Sequence, residues 1–265
     1  EDENAAGGVT LSSAGSAYVF VRSGSSWSQQ QKLVASDRDA NDFFGRHVSI
    51  SGDTVIAGAY GDDTNASDSS TLSSAGAAFV FVRSGSSWSQ QQKLVASDRG
   101  SNEYFGWQSS IDGDIAVISS YGYNGGALQG SVYIFTRSGS TWTEVKQIIA
   151  SDGAAGDLFA HVSLSRGVLA VAAYQDDSDE GSVYLYGVRN GHTWSSAHAV
   201  KIPNPSDSAS GDDNFGYSLD LDGNQLVIGA YLDDDNSASG SGTVYFNEID
   251  GSVSLFGAQE FSKIV

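Results

Sequence analysis

One four-part phrase returns along this chain roughly every 55 residues, and a repeat of that size implies stacked supersecondary units. The phrase reads Phe44-Gly45, Gly58-Ala59-Tyr60, Phe79-Val80-Phe81 and Trp88. It returns as Phe105-Gly106, Ser119-Ser120-Tyr121, Tyr133-Ile134-Phe135 and Trp142, then as Phe159-Ala160, Ala172-Ala173-Tyr174, Tyr184-Leu185-Tyr186 and Trp194. The last copy is Phe215-Gly216, Gly229-Ala230-Tyr231 and Tyr245-Phe246, without a tryptophan. Repeat scaffolds present extended surfaces, so the repeat already bears on function.

Within one unit, four strands a to d are predicted. Strand a begins at Arg46 and ends in the tight turn at Gly52-Asp53. Strand b, Thr54 to Tyr60, carries small residues that suit close backbone approach. Strand c, from Ala77 to Arg83, alternates Phe79 and Phe81 with Val80 and Val82. Strand d, from Trp88 to Val95, is glutamine-rich, carries Lys93 and suits an outer edge. Asp112-Gly113, Asp222-Gly223 and Asn190-Gly191 favour two-residue hairpins in the other copies. The expected fold is an all-β propeller of four-stranded antiparallel blades, forming a single domain over residues 1–265. Four complete blades are expected at about 44–95, 105–150, 159–202 and 215–262, after an N-terminal half-blade at 1–36, so the count is about five. Thr10 to Arg38 matches Thr71 to Arg99 almost letter for letter, and Glu1 aligns with Asp62, just past strand b. An a–b hairpin is therefore expected upstream of Glu1 or from elsewhere.

Lys plus Arg total 13 against 32 Asp plus Glu, a formal charge of −19, which argues against nucleic acid and anionic lipid as partners. It favours cations, basic surfaces or solubility in salt. No apolar run reaches the roughly 20 residues of a membrane helix. The chain has no cysteine and no methionine, so an export signal or upstream region is expected before it. Asn65-Ala66-Ser67 is a glycosylation sequon.

The Phe-Gly and Gly-Ala-Tyr elements resemble the FG-GAP repeat, the unit of the integrin α-subunit propeller and of bacterial and algal surface proteins. The resemblance covers nearly the whole chain and implies an extracellular or surface-attached interaction module. It also implies a calcium site in an extended a–b hairpin of pattern Asp-x-Asp-x-Asp-Gly. Here those turns are short, and Asp220-Leu221-Asp222-Gly223 is the nearest approach, so that site is not carried over.

The b–c and d–a loops of an antiparallel blade emerge at one end, the a–b and c–d turns at the other. Aspartates crowd the loop end, and Arg22, Arg83, Arg137, Arg166 and Arg189 fall at the turn end. Calcium takes six to eight oxygens, and clustered aspartates supply them. Asp176, Asp177, Asp179 and Glu180, then Asp233, Asp234 and Asp235, then Asp62 and Asp63, are the candidate ligands. The plain alternative is that these residues form solvated turns. The repeated tryptophans suit packing between blades or stacking on sugars, and the c-strand aromatics suit a core. His47 and His161, at comparable repeat positions, suit structural roles, and no histidine has metal-ligand spacing. No nucleophile or phosphate-loop context appears, so no enzyme is expected. The leading expectation is a secreted or cell-surface adhesion module that binds a protein or glycan at its loop face, with calcium as its cation. The alternatives are a self-associating subunit of an extracellular filament or coat, and a lectin.

Overall fold

A computed structural model describes residues 10–67, 69–122, 127–187, 200–205, 212–234 and 241–249, and the backbone of 262–264. Every regular element but one four-residue turn is a strand. A two-stranded sheet, β1 (Ala17–Ser23) and β2 (Ser26–Leu33), comes first. Blade one holds β3 (Val48–Ser51), β4 (Thr54–Ala59), β5 (Ala77–Ser84) and β6 (Ser87–Leu94). Blade two holds β7 (Phe105–Asp112), β8 (Ile115–Ser120), β9 (Ser131–Ser138) and β10 (Thr141–Ile148). Blade three holds β11 (Phe159–Ser165), β12 (Val168–Ala173), β13 (Ser182–Gly187) and β14 (Val200–Pro203). Blade four holds β15 (Phe215–Asp222), β16 (Gln225–Ala230), β17 (Thr243–Glu248) and β18 (Ser262–Ile264). The protein is thus an all-β propeller of four antiparallel four-stranded blades, with a half-blade before them. Two compact units are present, residues 1–126 with 133–145, and 127–132 with 146–265.

The first two strands of every blade join through two-residue turns, because Ser51 pairs with Thr54, Asp112 with Ile115, Ser165 with Val168 and Asp222 with Gln225. At the other end of each first strand the Phe-Gly dipeptide makes a bulge. Between Phe105 and Ser109 four steps on β7 oppose two on β8, and between Phe215 and Ser218 three oppose one. In β11 only two steps, Phe159 to His161, oppose one. This explains the one departure from Phe-Gly. Gly45, Gly106 and Gly216 take φ of 84°, 88° and 94°, a region costly for a side chain, whereas Ala160 in the shorter bulge does not.

The phenylalanine of each dipeptide fastens its blade to the one before it. Phe44, Phe105, Phe159 and Phe215 donate backbone N–H to the carbonyls of Ala14, Ala75, Gln129 and Glu180 at 2.9 to 3.0 Å. Their rings are buried and meet the c-strand aromatics edge-on, Phe105 against Tyr133 at 5.3 Å and Phe215 against Tyr245 at 5.3 Å. Small residues on the b strand are forced by the same closeness: a β-carbon on Gly58 would lie 1.9 Å from the carbonyl oxygen of Gly106.

The glutamines of the d strands have a role that composition alone does not show. Gln31 Nε2 donates to Trp88 O at 2.7 Å and its Oε1 accepts from Trp88 N at 2.8 Å. Gln92 repeats both bonds with Trp142, each at 2.8 Å. An amide side chain thus stands in for a strand neighbour between consecutive blades. Trp88 and Trp142 are buried at these seams, while Trp194 lies outside the described residues. The expectation that all c-strand aromatics are core fails at the half-blade. Phe79 and Phe81 are 0% and 4% exposed, but their counterparts Tyr18 and Phe20 are 36% and 50% exposed. Phe79 and Phe81 pack with Ala17, Val19 and Leu33 of the half-blade, whereas Tyr18 carries Lys32 Nζ over its ring at 5.8 Å.

Candidate functional site

The loop end of the blades is built from carboxylates that fold their own loops. Asp42 Oδ2 accepts from Asp39 N at 2.5 Å, Glu103 Oε2 from Gly100 N at 2.7 Å and Asp157 Oδ2 from Ala154 N at 2.5 Å. The three occupy one repeat position and all are buried. Burial pushes each acid above its ordinary pKa, with neighbouring carboxylates adding to it and the backbone N–H opposing; Asp42 rises to about 7.

Two lysines stand among the expected calcium ligands. Lys93 Nζ lies 2.5 Å from Asp37 Oδ2, 3.0 Å from Asp62 Oδ2 and 2.5 Å from Thr64 Oγ1, with its side chain 5% exposed. Lys201 Nζ lies 2.8 Å from Asp152, 2.7 Å from Asp176 and 3.1 Å from Asp177. Burial opposes the charge on each ammonium, but the carboxylates outweigh it and raise both pKa values. The Tyr184 hydroxyl, with one proton to share, lies 2.7 Å from Asp152 Oδ1 and 2.9 Å from Asp176 Oδ2; burial and these two acids push its pKa up. Asp152 is held low by Lys201 and Tyr184 in spite of its own desolvation. Tyr133 and Tyr245 repeat the tyrosine's part with Asp98 at 2.8 Å and Asp233 at 2.6 Å.

The candidate ligands are therefore only partly brought together. Asp176 and Asp177 share Lys201. They open a tight turn, Asp176–Asp179, in which Asp177, Ser178 and Asp179 are left-handed, with φ of 54°, 68° and 70°. Asp179 and Glu180 contribute carbonyls to Asn214 N and Phe215 N. Asp62 faces Lys93, whereas Asp63 Oδ1 accepts from Ser74 N at 2.6 Å. Asp233 is buried under Tyr245, Asp234 is part-exposed, and Asp235 lies outside the described residues. Among the described residues, no group of three or more His, Asp or Glu is placed to hold a metal ion. The a–b turns do not fit the family's calcium hairpin either, since they hold two residues each and Asp220 Oδ1 accepts from Ser163 Oγ at 3.2 Å. Sequence reasoning read Lys93 as an outer-edge residue, whereas it is buried, and passed over Lys201. The signal was present, because the register sets Lys32 opposite Tyr18, Lys93 opposite Phe79, Lys201 opposite Tyr184 and Lys263 opposite Tyr245.

Each of the two units carries its own aromatic ladder, made by the residues next to the bulges and just past each b strand. In the first unit Phe43 stacks on Tyr60 at 4.8 Å and 5°, Tyr60 meets Trp107 at 5.2 Å, and Trp107 stacks on Tyr121 at 4.4 Å. The Arg46 guanidinium lies 4.7 Å from the Trp107 ring centre. In the second unit His161 meets Tyr174 at 5.0 Å, Tyr174 meets Tyr217 at 5.2 Å, and Tyr217 meets Tyr231 at 4.4 Å. Phe43, Tyr217 and Tyr231 are exposed and the others partly so. His47 is at the register position of His161 but turns inward, its Nδ1 accepting from Ser109 N at 3.2 Å. Burial and the nearby Arg46 lower its pKa.

At the turn end two of the expected arginines are paired. Arg83 pairs with Asp53, and Arg137 with Asp114 at 2.6 Å and Thr54 Oγ1 at 2.8 Å. These two c–d arginines are thus paired with a–b aspartates, while Arg22 Nε donates to Gly24 O at 2.8 Å, Arg166 sits in an a–b turn, and Arg189 lies outside the described residues.

Compared with known proteins, residues 27–81, 88–135, 142–186 and 204–246 match the family described as FG-GAP repeat. No curated protein matches the chain.

Proposed function

The chain belongs to the FG-GAP repeat family, and from that premise we propose that it is a non-catalytic binding module of the extracellular space or cell surface, engaging a cationic protein ligand at its loop end. FG-GAP propellers are typical of extracellular and adhesion modules and are in general binding or structural folds. No helix among the described residues is long and apolar enough to cross a membrane.

The observation that carries the reading is the exposed aromatic ladder set among carboxylates. Aromatic faces attract ammonium and guanidinium groups, and surrounding negative charge steers such groups in. The chain already makes this contact with itself, through Arg46 on Trp107. An arginine-rich peptide serves as the probe. Titrated at low ionic strength, it should quench tryptophan fluorescence at Trp107 and bind several-fold more weakly to Tyr60→Ala and Tyr121→Ala chains. Unchanged affinity in both variants would remove the ladder from the interface. Binding to a glycan array with no response to the peptide would favour the lectin alternative.

For the acidic loops we propose that Lys93 and Lys201 supply the positive charge that calcium was expected to bring. Calcium and chelator should then leave the melting temperature unchanged. A melt that rises with calcium and reverses with chelator would restore the calcium reading.

A further inference from the structure

Arg46 stands two residues past the phenylalanine of its blade, the repeat position that holds Trp107, His161 and Tyr217 in the other three. Rings at that position build the ladders; blade one sets a guanidinium there instead. The Arg46 backbone is fixed, its N–H donating to Phe43 O at 3.1 Å within the bulge, while its side chain is exposed. The guanidinium lies 4.7 Å from the centre of the Trp107 ring, which Tyr121 approaches at 29° and Tyr60 at 65°. Two other arginines of this unit rest on tryptophans, Arg83 on Trp88 at 5.7 Å and Arg137 on Trp142 at 5.2 Å. Both are also tied by aspartate, to Asp53 and Asp114. No carboxylate among the described residues ties Arg46. Its hold on Trp107 is the stacking contact, so of the three it swings away without breaking an ion pair.

We propose that Arg46 is a built-in occupant of a guanidinium site on Trp107, displaced when an arginine side chain of the protein partner enters. Resting on the ladder as the binding surface, this assigns the partner a guanidinium rather than an ammonium and gives the chain a competitor of its own. A guanidinium is planar, weakly hydrated and stacks flat on an aromatic face, whereas an ammonium is a compact, strongly hydrated point charge. The loop carboxylates attract both kinds of cation, and the flat ring face separates them. An exposed cation–π contact keeps its cation on the ring about two to five times more often than off it. Arg46 thus leaves the ring open in about a third to a sixth of the molecules, and apparent affinity for an outside cation falls in the same proportion. So weak a contact yields readily to an arginine steered in by the surrounding charge.

The test titrates the intact chain with an arginine-rich peptide and with the same peptide carrying lysine, read by tryptophan fluorescence with a Trp107→Phe chain as the blank. Arg46→Gln, at an exposed side chain, keeps the fold, which circular dichroism checks. It should bind the arginine peptide about three- to sixfold more tightly than the unaltered chain. Lys146→Gln makes the same change of charge at an exposed site on β10 and should bind as the unaltered chain does, which separates displacement from added negative charge. The lysine peptide should bind more weakly and gain less from Arg46→Gln. Equal affinity of the Arg46→Gln and unaltered chains for the arginine peptide would overturn the proposal and leave the ladder as the binding surface. An equal gain from Lys146→Gln, or an equal gain with the lysine peptide, would overturn it too. Absence of binding by every chain would overturn the ladder as the binding surface and the proposal with it.

Discussion

Asp42 and Lys93 show how a single side chain sets the stability of a loop. Asp42 binds its proton in the folded chain up to about pH 7, far above the ordinary 3.8, so between those values the native state holds more protons than the unfolded one. Stability from this group is therefore present at low pH and is lost as pH rises through 4 to 7. Asp42→Asn keeps the acceptor for Asp39 N without the charge. It should raise the melting temperature at pH 8 by on the order of 5 °C and flatten the pH dependence, as calorimetry across the range would show. Lys93 works in the opposite sense. Its ammonium is enclosed by Asp37 and Asp62, and removing one partner of a buried pair leaves uncompensated charge. Lys93→Met should cost about 3–5 kcal/mol in urea unfolding, and millimolar calcium should recover part of it by taking the vacated oxygens. The loss at Lys201→Met should be smaller, because its side chain is 28% exposed and Asp177 lies largely in solvent.

At the scale of strands, adjacent blades are joined by polar groups as well as by core packing. Gln92 makes two hydrogen bonds to the backbone of Trp142, and truncating it strands a half-buried N–H and a carbonyl. Gln92→Ala should cost about 1–3 kcal/mol, whereas Ala at an exposed d-strand site such as Ser89 should cost a few tenths. Replacing Gly58 should be more severe, since the clash is with the backbone of Gly106 and cannot be relieved by a rotamer. Far-ultraviolet circular dichroism of Gly58→Val should show a lowered unfolding midpoint or loss of the fold. Much of this level was legible beforehand. Turn dipeptides, alternating c strands and small b-strand residues each report local geometry, which neighbouring letters decide. The role of the glutamines was not legible, because it depends on a partner some 50 residues away.

For the molecule as a whole, charge sets the terms. A formal −19 spread over 265 residues repels itself, and exposed ion pairs such as Arg83–Asp53 offset little of it. Shrinking the Debye length from about 30 Å to about 3 Å with salt should raise the melting temperature. A fall would mean that surface pairing outweighs the net repulsion. The repeat, the blade architecture and the crowding of acids at one end were determined by sequence alone, because period, alternation and turn chemistry are local properties that recur. Tertiary structure alone decided which acids meet. Asp62 and Asp63 are chain neighbours, yet one turns to Lys93 and the other caps Ser74, while Asp152 and Asp176 meet through Lys201. It also decided that Arg83 and Arg137 meet Asp53 and Asp114 and that Tyr18 and Phe20 are bared where Phe79 and Phe81 are buried. Near-identical sequences differ there because burial belongs to the neighbour supplied by folding, and no residue carries that neighbour in its own letter.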